Sequence, residues 1–348
     1  MTNPNSPATI AIYGANGVTG GYMLTDLRRR GLTPILVGRD ATRLRAAADA
    51  AGLRDADIRV ADLTDRDALV TAFTGADVVI SSLPAYVDNG EAVLAAAIDA
   101  RAHYADVSGE QLFLRTVFDD YDARAQAAGV TVISGITDSN LSGDLLAHLT
   151  SRRVQGPAEI EISHLSKSGG NGSKGSAKTV FASLDWFSNG GWHYADGEFH
   201  TGATAKRSEM VFPGDTEPTP VAKFPQPPVL SIPRHSEVSF VEGVVATRIL
   251  ATLSGFTAEL IESLPDAPSE DLRYDLVVDA YGVDGAKVRG VVSGLHSYRD
   301  SALMAVETAV RLAGGGTRPG ALAPAEAFDP AGFLDALAEH GITWRLES

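Results

Sequence analysis

Three glycines near the start of the chain have a spacing that can bring backbone amides to a phosphate. Gly14, Gly17 and Gly20 follow a short apolar run and precede an amphipathic stretch. In such a strand–turn–helix context the first glycine permits a sharp turn, the second lets a pyrophosphate approach the backbone, and the third lets the helix pack on the sheet. A tight packing turn is the alternative. The residues predicted to bind a dinucleotide here are Gly14, Asn16, Gly17, Val18, Thr19 and Gly20.

The charge at the end of the second apolar run bears on which dinucleotide binds. Residues 34–37 are followed by Gly38, Arg39 and Asp40. An acidic residue at this point usually holds the ribose hydroxyls of NAD, whereas a guanidinium can pair with the 2′-phosphate of NADP. Arg43, one helical turn later, could join Arg39. NADP is therefore the predicted cofactor, with NAD equally acceptable if Arg39 instead pairs with Asp40.

Two further segments at strand ends complete the predicted cofactor site. Asp62 and Leu63 follow the third apolar run, where folds of this kind approach the adenine. The segment after the fourth run borders the nicotinamide side. Its predicted cofactor-binding residues are Ser81, Ser82, Leu83 and Pro84.

These residues are positioned by short apolar runs that alternate with amphipathic stretches through the first half of the chain. The runs predict strands at Thr9–Tyr13, Pro34–Val37, Ile58–Ala61, Asp77–Ser81, His103–Val107 and Val130–Ile133. Strands separated by helices at this spacing pair in parallel, with right-handed crossovers. The predicted fold class is α/β, a Rossmann-type doubly wound parallel sheet.

The pattern changes after Arg153. Residues 158–163 alternate apolar and polar side chains, which is typical of a strand with one solvated face. Residues 274–281 and 287–292 predict a hairpin around Asp284-Gly285. Residues 179–187, 301–312 and 330–339 predict helices. This half of the chain therefore predicts a second α+β domain built on a mainly antiparallel sheet.

Several of these segments together resemble one family. His103-Tyr104-Ala-Asp106-Val-Ser-Gly-Glu110 resembles the HYVDLTGE signature of saccharopine dehydrogenase-like oxidoreductases, which include trans-acting enoyl reductases. The glycine loop is similar to the family's GATGFTG, and residues 38–40 to its AGR. Residues 135–144 resemble a divergent GFDSVPSD, and residues 293–298 resemble its GxDPY stretch.

The resemblance implies how the domains are organised. Residues 1–150 form the dinucleotide-binding Rossmann domain, and residues 151–296 form a substrate and dimerisation domain whose sheet covers the nicotinamide. Residues 297–348 form C-terminal helices that return to the Rossmann domain. Because the second sheet often makes a dimer in this family, a homodimer is expected.

A hydride transfer also needs a proton donor close to the substrate, and polar residues at strand ends are the candidates. The residues predicted to be catalytic are Tyr104, Asp106 and Lys174. Tyr104 and Asp106 share one face of their strand, which a helix could cover; Asp106 could then tie the strand to the next loop instead. Lys174, with Lys167 and Lys178, could clamp an anionic substrate or lie in a solvated loop.

Composition excludes several other classes of protein. The chain has no cysteine and a net charge of −15, so thiolate metal sites and disulfides are excluded and binding of nucleic acid or anionic membranes is disfavoured. Its eight histidines lack a metal-ligand spacing, so no metal is predicted. No apolar run approaches the about 18 residues of a membrane span. With no signal-peptide pattern in Met1–Ala8, a cytoplasmic location is expected.

The predicted function is an NADP-dependent oxidoreductase that reduces a C=N, C=O or activated C=C bond of a small metabolite by hydride transfer. The chain has no Tyr-x-x-x-Lys pair, which argues against a short-chain dehydrogenase, and no Gly-x-Ser-x-Gly elbow, which argues against a serine hydrolase. The main alternative is a non-catalytic Rossmann protein that senses the redox state of NADP. A weaker alternative is an isomerase or lyase that retains a bound cofactor.

Overall fold

Strands and helices alternate through the first part of the chain in a computed structural model that describes residues 8–168, 172–202, 204–253, 255, 257–265 and 267–347. The strands are β1 (Ile10–Tyr13), β2 (Ile35–Gly38), β3 (Asp57–Val60), β4 (Val78–Ser81), β5 (His103–Asp106) and β6 (Thr131–Ile133). The helices are α1 (Val18–Arg29), α2 (Ala41–Ala50), α3 (Arg66–Phe73), α4 (Tyr86–Asp99), α5 (Gln111–Thr116), α6 (Asp122–Ala128) and α7 (Asn140–Ser151), with a π-helical turn at Val117–Tyr121.

The remainder of the chain is richer in strands. They are β7 (Ala158–Ser166), β8 (Trp192–Ala195), β9 (Glu198–Thr201), β10 (Glu209–Met210), β11 (Thr219–Lys223), β12 (Val238–Ala246), β13 (Tyr274–Tyr281), β14 (Lys287–Gly294), β15 (Gly320–Ala321) and β16 (Thr343–Glu347). The helices are α8 (Lys174–Ala182), α9 (Leu184–Ser188), α10 (Pro228–Ser231), α11 (Thr247–Leu253), α12 (Ala258–Ser263), α13 (Ser297–Ala313), α14 (Pro324–Ala327) and α15 (Pro330–Ala336), with single 3-10 turns at Ile232–Arg234 and Ala338–His340.

One sheet is parallel throughout, in the order β15-β6-β5-β4-β1-β2-β3. Successive strands run outward in one direction from β1 to β3 and in the other from β4 to β6, so the order reverses between β1 and β4. Ligands of doubly wound sheets bind outside the carboxyl ends of the strands at this switch point. The predicted Rossmann-type sheet is confirmed; the short strand β15 is an addition that the sequence did not predict.

The second sheet is mixed and follows the order β10-β11-β12-β7-β13-β14-β16, with the β8–β9 hairpin paired to β12. Strands β7 and β12 are parallel, and the other neighbouring pairs are antiparallel. The predicted hairpin is present as β13 and β14, with Gly285 at a φ of +82° in its turn. Helix α7 packs on one face, where Gly143 lies close to Ile162 and Leu276.

The chain divides into two compact units whose boundaries differ from the predicted ones. The first unit contains the chain up to Ser108, then Leu112–Thr137 and Tyr298–Leu322; the second contains Gly109–Gln111, Asp138–Ser297 and the chain from Ala323. Thus α13 and β15 lie in the first unit, whereas β16 pairs with β14 in the second. The family resemblance implies that the whole segment 297–348 returns to the Rossmann domain. The structure differs, because residues 343–347 extend an edge of the second sheet.

A row of buried charges crosses one face of the second sheet. Strand register places Glu242, Glu161 and Asp279 side by side, each at most 1% exposed. Arg289 donates to both carboxylate oxygens of Asp279, at 2.6 and 2.7 Å, and Glu242 accepts from the backbone N–H of Lys206 at 3.0 Å. Oε1 of Glu161 has no hydrogen-bond partner among the residues described. Burial, followed by the neighbouring carboxylates, raises the pKa of Glu161 to about 7.

We expect Glu161→Gln to remove a pH-dependent component of the stability. Since the folded-state pKa of Glu161 lies above the value of about 4.3 in an unfolded chain, the stabilising, protonated form is lost as pH rises through about 7. Urea unfolding at about pH 5 and about pH 8 should show the variant gaining about 2 kcal/mol of unfolding free energy over wild type between the two conditions.

The matched control is Glu159→Gln on the same strand, because Glu159 forms ion pairs with Lys206 and Arg207. That variant should show no such gain at high pH. A difference between Glu161→Gln and wild type that stays constant with pH would contradict the expectation.

Candidate functional site

The glycine loop forms the turn between β1 and α1, and the surrounding backbone requires two of its three glycines. Gly14 has a φ of +91°, and a Cβ added there would lie 2.1 Å from the carbonyl oxygen of Ser82. A Cβ on Gly20 would lie 2.5 Å from the carbonyl oxygen of Gly14. At Gly17 an added Cβ would be 3.4 Å from its nearest described neighbour. Packing of the chain therefore does not explain Gly17, whereas a ligand lying on the backbone would.

Helix α1 starts directly after Gly17 and presents free donors to that open space. No side chain caps its first turn. The first N–H groups of an α-helix have no acceptor within the helix, and in α1 these include the amides of residues 18–20. Asn16 and Gly17 are exposed, and residues 18 and 19 are half-buried. The positive end of the helix dipole and these amides are suited to bind a pyrophosphate.

Two exposed arginines flank the end of β2. Asp40 caps α2 by accepting from the backbone N–H of Arg43 at 3.0 Å, so its carboxylate is engaged with the helix and not with Arg39. In the described parts of the chain, neither the Arg39 nor the Arg43 guanidinium forms an ion pair with a carboxylate. Both side chains are therefore available to a phosphate, as the NADP prediction requires.

The other predicted cofactor residues lie at the same edge of the sheet. Asp62 is exposed, and hydrogen bonds from the backbone and hydroxyl of Thr64 lower the pKa of its carboxyl, with a smaller contribution from Arg39. Leu63 is half-buried against the core. In the segment after β4, Pro84 is exposed and residues 82–83 are half-buried, but the side chain of Ser81 is completely buried. Only the backbone of Ser81 can therefore shape a cofactor site.

The predicted catalytic side chains of Tyr104 and Asp106 are both 0% exposed. Oδ1 of Asp106 accepts from the backbone N–H groups of Ser108 and Gly135, each at 2.9 Å, and so ties the loop after β5 to the loop after β6. Burial raises the pKa of Asp106 to about 6 and that of Tyr104 well above its usual value. Both side chains are buried, and the structure shows Asp106 tying two loops together; a catalytic role for either stays a prediction.

Lys174 and its neighbours are also placed differently from the prediction. Lys174 begins α8, and its Nζ lies 3.7 Å from Oε2 of Glu262, while Lys178 lies 2.9 Å from Oε1 of the same carboxylate. Lys167 pairs with Asp275 at 2.9 Å. Residues 169–171 of the predicted loop lie outside the described residues. Each of the three ammonium groups thus has a carboxylate partner. These carboxylates offset the positive charge that would attract an anionic substrate.

Sequence reasoning missed a carboxylate–imidazole pair in the second unit. Nε2 of His164, on β7, lies 2.9 Å from Oδ2 of Asp138, which also accepts from the hydroxyl of Ser297 at 2.7 Å. Asp138 is buried, whereas the His164 side chain is 27% exposed. Nδ1 of His164 has no partner among the described residues. Asp138 is separated from His164 by 26 positions and from Ser297 by 159, so no local motif could show this cluster.

The aromatic ring of Tyr274 holds the imidazole from one side. The two rings are stacked at 5.2 Å between centroids with an interplanar angle of 20°. Gly294, opposite Tyr274 in the strand register, makes room for this ring, because an added Cβ would lie 2.3 Å from it. An imidazole oriented by a carboxylate and open to solvent can exchange protons with a bound molecule.

Two other kinds of site were sought in the described part of the chain. No group of three or more His, Cys, Asp or Glu side chains is arranged to hold a metal ion there. None of the helices described is both long enough and apolar enough to cross a membrane.

The strand order and the glycine loop define the first unit as a dinucleotide-binding domain of the Rossmann class. Residues 10–133 match the family model described as saccharopine dehydrogenase NADP binding domain. This part of the chain is therefore similar to the NADP-binding domain of saccharopine dehydrogenase. The match confirms the family resemblance and NADP as the cofactor.

Curated relatives match the chain over less than half of its length. A lipid droplet localized protein of Caenorhabditis elegans is 29% identical over 157 residues, 42% of this chain and 37% of that protein. A trans-acting enoyl reductase of Mycobacterium ulcerans is 29% identical over 171 residues, 47% of this chain and 41% of that protein. A saccharopine dehydrogenase-like oxidoreductase of Bos taurus is 24% identical over 186 residues, 49% of this chain and 43% of that protein. The chain thus spans about two-fifths of the length of these relatives.

Solved structures share the fold over nearly the whole chain. Saccharopine dehydrogenase (L-Glu forming) from Saccharomyces cerevisiae has a TM-score of 0.60 at 14% identity, covering 98% of this chain and 100% of that one. Amine dehydrogenase from Mycobacterium smegmatis has a TM-score of 0.52 at 13% identity, covering 94% and 98%. At these identities the likeness establishes the fold alone.

We expect Arg39→Ala to change the cofactor preference. Loss of a charged hydrogen bond of about 1.5–3 kcal/mol to the 2′-phosphate should weaken NADPH binding about 10- to 100-fold and leave NADH binding within about twofold of wild type. Calorimetric titration with both cofactors measures the change.

Arg45→Ala, on the helix that follows Arg39, is the control, because the Arg45 guanidinium donates to the carbonyls of Arg54 and Ala56. It should leave both affinities unchanged. Equal weakening of NADPH and NADH by Arg39→Ala would contradict the assignment.

Proposed function

We propose that the chain is an NADP-dependent oxidoreductase that reduces a C=N, C=O or activated C=C bond of a small molecule by hydride transfer. The observation that carries the proposal is the glycine turn at the switch point, where an added Cβ on Gly17 would lie 3.4 Å from its nearest described neighbour, within a segment that matches a saccharopine dehydrogenase NADP-binding domain. Relatives named as an enoyl reductase and as an oxidoreductase support reductive chemistry. A cytoplasmic homodimer stays a prediction from the sequence.

An enzyme is favoured over a redox sensor by the chemistry of the second unit. Binding of NADP alone requires the glycine loop and the arginines of the first unit. It does not require a part-exposed imidazole that a buried carboxylate orients, such as His164 on Asp138. Such a pair is suited to proton transfer.

We assign the proton that the reduction consumes to His164. Bound NADPH would supply the hydride, which is the chemistry of its nicotinamide. As the substrate carbon gains that hydride, the electron pair of the double bond moves to its oxygen or nitrogen, or to the carbonyl conjugated with a C=C bond. The reduction also consumes a proton, and an imidazole such as His164, which Asp138 holds through Nε2, can donate a proton and regain one from water. The Ser297 hydroxyl, bonded to the same carboxylate oxygen, helps to fix its orientation.

We expect the purified protein to consume NADPH with at least one member of a panel of cyclic imines, ketones and enoyl thioesters, followed by NADPH absorbance. Gly17→Val is the matched control, because its branched side chain would occupy the open space over the phosphate turn. That variant should fold and show no consumption. Tight NADPH binding by wild type without consumption by any probe would favour the sensor instead.

With a probe that is reduced, we expect His164→Gln to lower kcat/KM about 100-fold, the scale of general acid catalysis, and to leave NADPH affinity unchanged. His200→Gln, at an exposed histidine on β9, is the control and should be as active as wild type. Full activity of His164→Gln would remove the assignment of the proton donor without affecting the proposed reaction.

A further inference from the structure

We infer that Tyr86 is a positioning residue for the nicotinamide half of the cofactor, an inference that rests on the proposed function. Tyr86 opens α4 and is 2% exposed, so its side chain is buried in the core. Its hydroxyl lies where the loops after β4 and β5 meet. No part of the mechanism above uses this residue, and nothing in its local sequence pattern distinguishes it from a core aromatic.

One hydroxyl group holds both loops through their backbones. Oη of Tyr86 donates to the carbonyl of Ser81 at 2.7 Å, and it accepts from the N–H of Leu83 at 3.1 Å and from the N–H of Val107 at 3.4 Å. A phenol offers one proton and two lone pairs, so these three bonds use its full capacity. Because each partner is a backbone group, the bonds fix the path of the chain after β4 relative to the chain after β5.

The ring is held independently of the hydroxyl. It packs on Phe113 with 5.3 Å between centroids. Gly90, one turn further along α4, leaves space for both rings, because an added Cβ would lie 2.5 Å from Phe113 and 2.8 Å from Tyr86. A phenylalanine at position 86 would therefore keep this packing and remove only the three hydrogen bonds.

The loop that Tyr86 holds contains a strained residue. Ala85, directly before α4, has a φ of +51° in the left-handed region. That conformation is strained for a non-glycine residue and persists only where the surroundings fix it. The bonds from Tyr86 to Ser81 and Leu83 fix the chain immediately before it. The strain at Ala85 therefore marks a loop whose shape is imposed.

The same loop forms one wall of the phosphate turn. Between the two residues held by Tyr86, Ser82 donates its N–H to the carbonyl of Tyr13 at 2.9 Å and presses its carbonyl against Gly14. In a doubly wound sheet, strands β1–β3 hold the adenine half of the dinucleotide and strands β4–β6 hold the nicotinamide half. Tyr86 thus orders the nicotinamide side, whereas Arg39 lies on the adenine side.

The test compares two ligands on Tyr86→Phe. NADPH carries the nicotinamide, and adenosine 2′,5′-bisphosphate carries the adenosine and the 2′-phosphate without it. The Kd for NADPH should rise about 5- to 10-fold, the scale of one or two lost hydrogen bonds, while the Kd for adenosine 2′,5′-bisphosphate stays within about twofold of wild type. The fluorescence of bound NADPH, which reports the surroundings of the nicotinamide, should fall.

Tyr121→Phe is the matched control, because it removes a tyrosine hydroxyl that donates to Glu91 at 2.8 Å in the same unit. A purely structural loss lowers the Tm and leaves the ratio of the two Kd values unchanged. Equal weakening of both ligands by Tyr86→Phe, or weakening of neither, would overturn the role of Tyr86. If the wild-type protein bound neither ligand, the proposed function itself would fail.

Hydrogen exchange of the wild-type protein tests the inference even if Tyr86→Phe does not fold. The amides of Leu83 and Val107 should exchange slowly in the free protein, and NADPH should slow them further than adenosine 2′,5′-bisphosphate does. Rapid exchange at both amides, or the same protection by both ligands, would overturn the inference.

Discussion

The first unit depends on the contact between Gly14 and the carbonyl of Ser82. Here the turn after β1 and the loop after β4 approach so closely that no side chain fits between them. Gly20 then brings α1 down onto the carbonyl of Gly14. With these approaches fixed, Gly17 stays exposed among the described residues, beside a first helical turn that no side chain caps. The same close approaches that exclude side chains at Gly14 and Gly20 therefore leave Gly17 uncrowded.

Buried polar groups then determine the shape of the edge around this opening. Tyr86 binds the backbones of two loops, and Asp106 binds the next pair by accepting from Ser108 and Gly135. A buried polar group that loses its partner costs more free energy than an average hydrogen bond contributes, so such groups permit few alternative backbone paths. Side chains at strand ends that suggest catalysis in the sequence can thus serve the geometry of the site from inside the core, as Asp106 does.

The sequence predicts what is local and periodic. Apolar runs of four or five residues predict the parallel strands. What it could not predict depends on distant partners or on competing local signals. Asp138 and His164, and likewise Lys174 and Glu262, are distant in the sequence and meet only through the tertiary fold. Likewise residues 343–347 become a strand only because β14 offers them an edge.

The path of the chain determines whether the first unit can be separated from the rest as a continuous fragment. Helix α13 and strand β15 return to the first unit after every strand of the second sheet except β16, and residues 302–306 of α13 are buried. Strand β15 pairs with β6, and the N–H of Ala321 donates to Asp122 at 2.8 Å. A fragment that stops at residue 150 would lack this helix and this edge strand, and so would expose part of its own core. The second unit is in this sense an insertion within the cofactor domain, and the two halves of that domain must find each other across about 160 intervening residues.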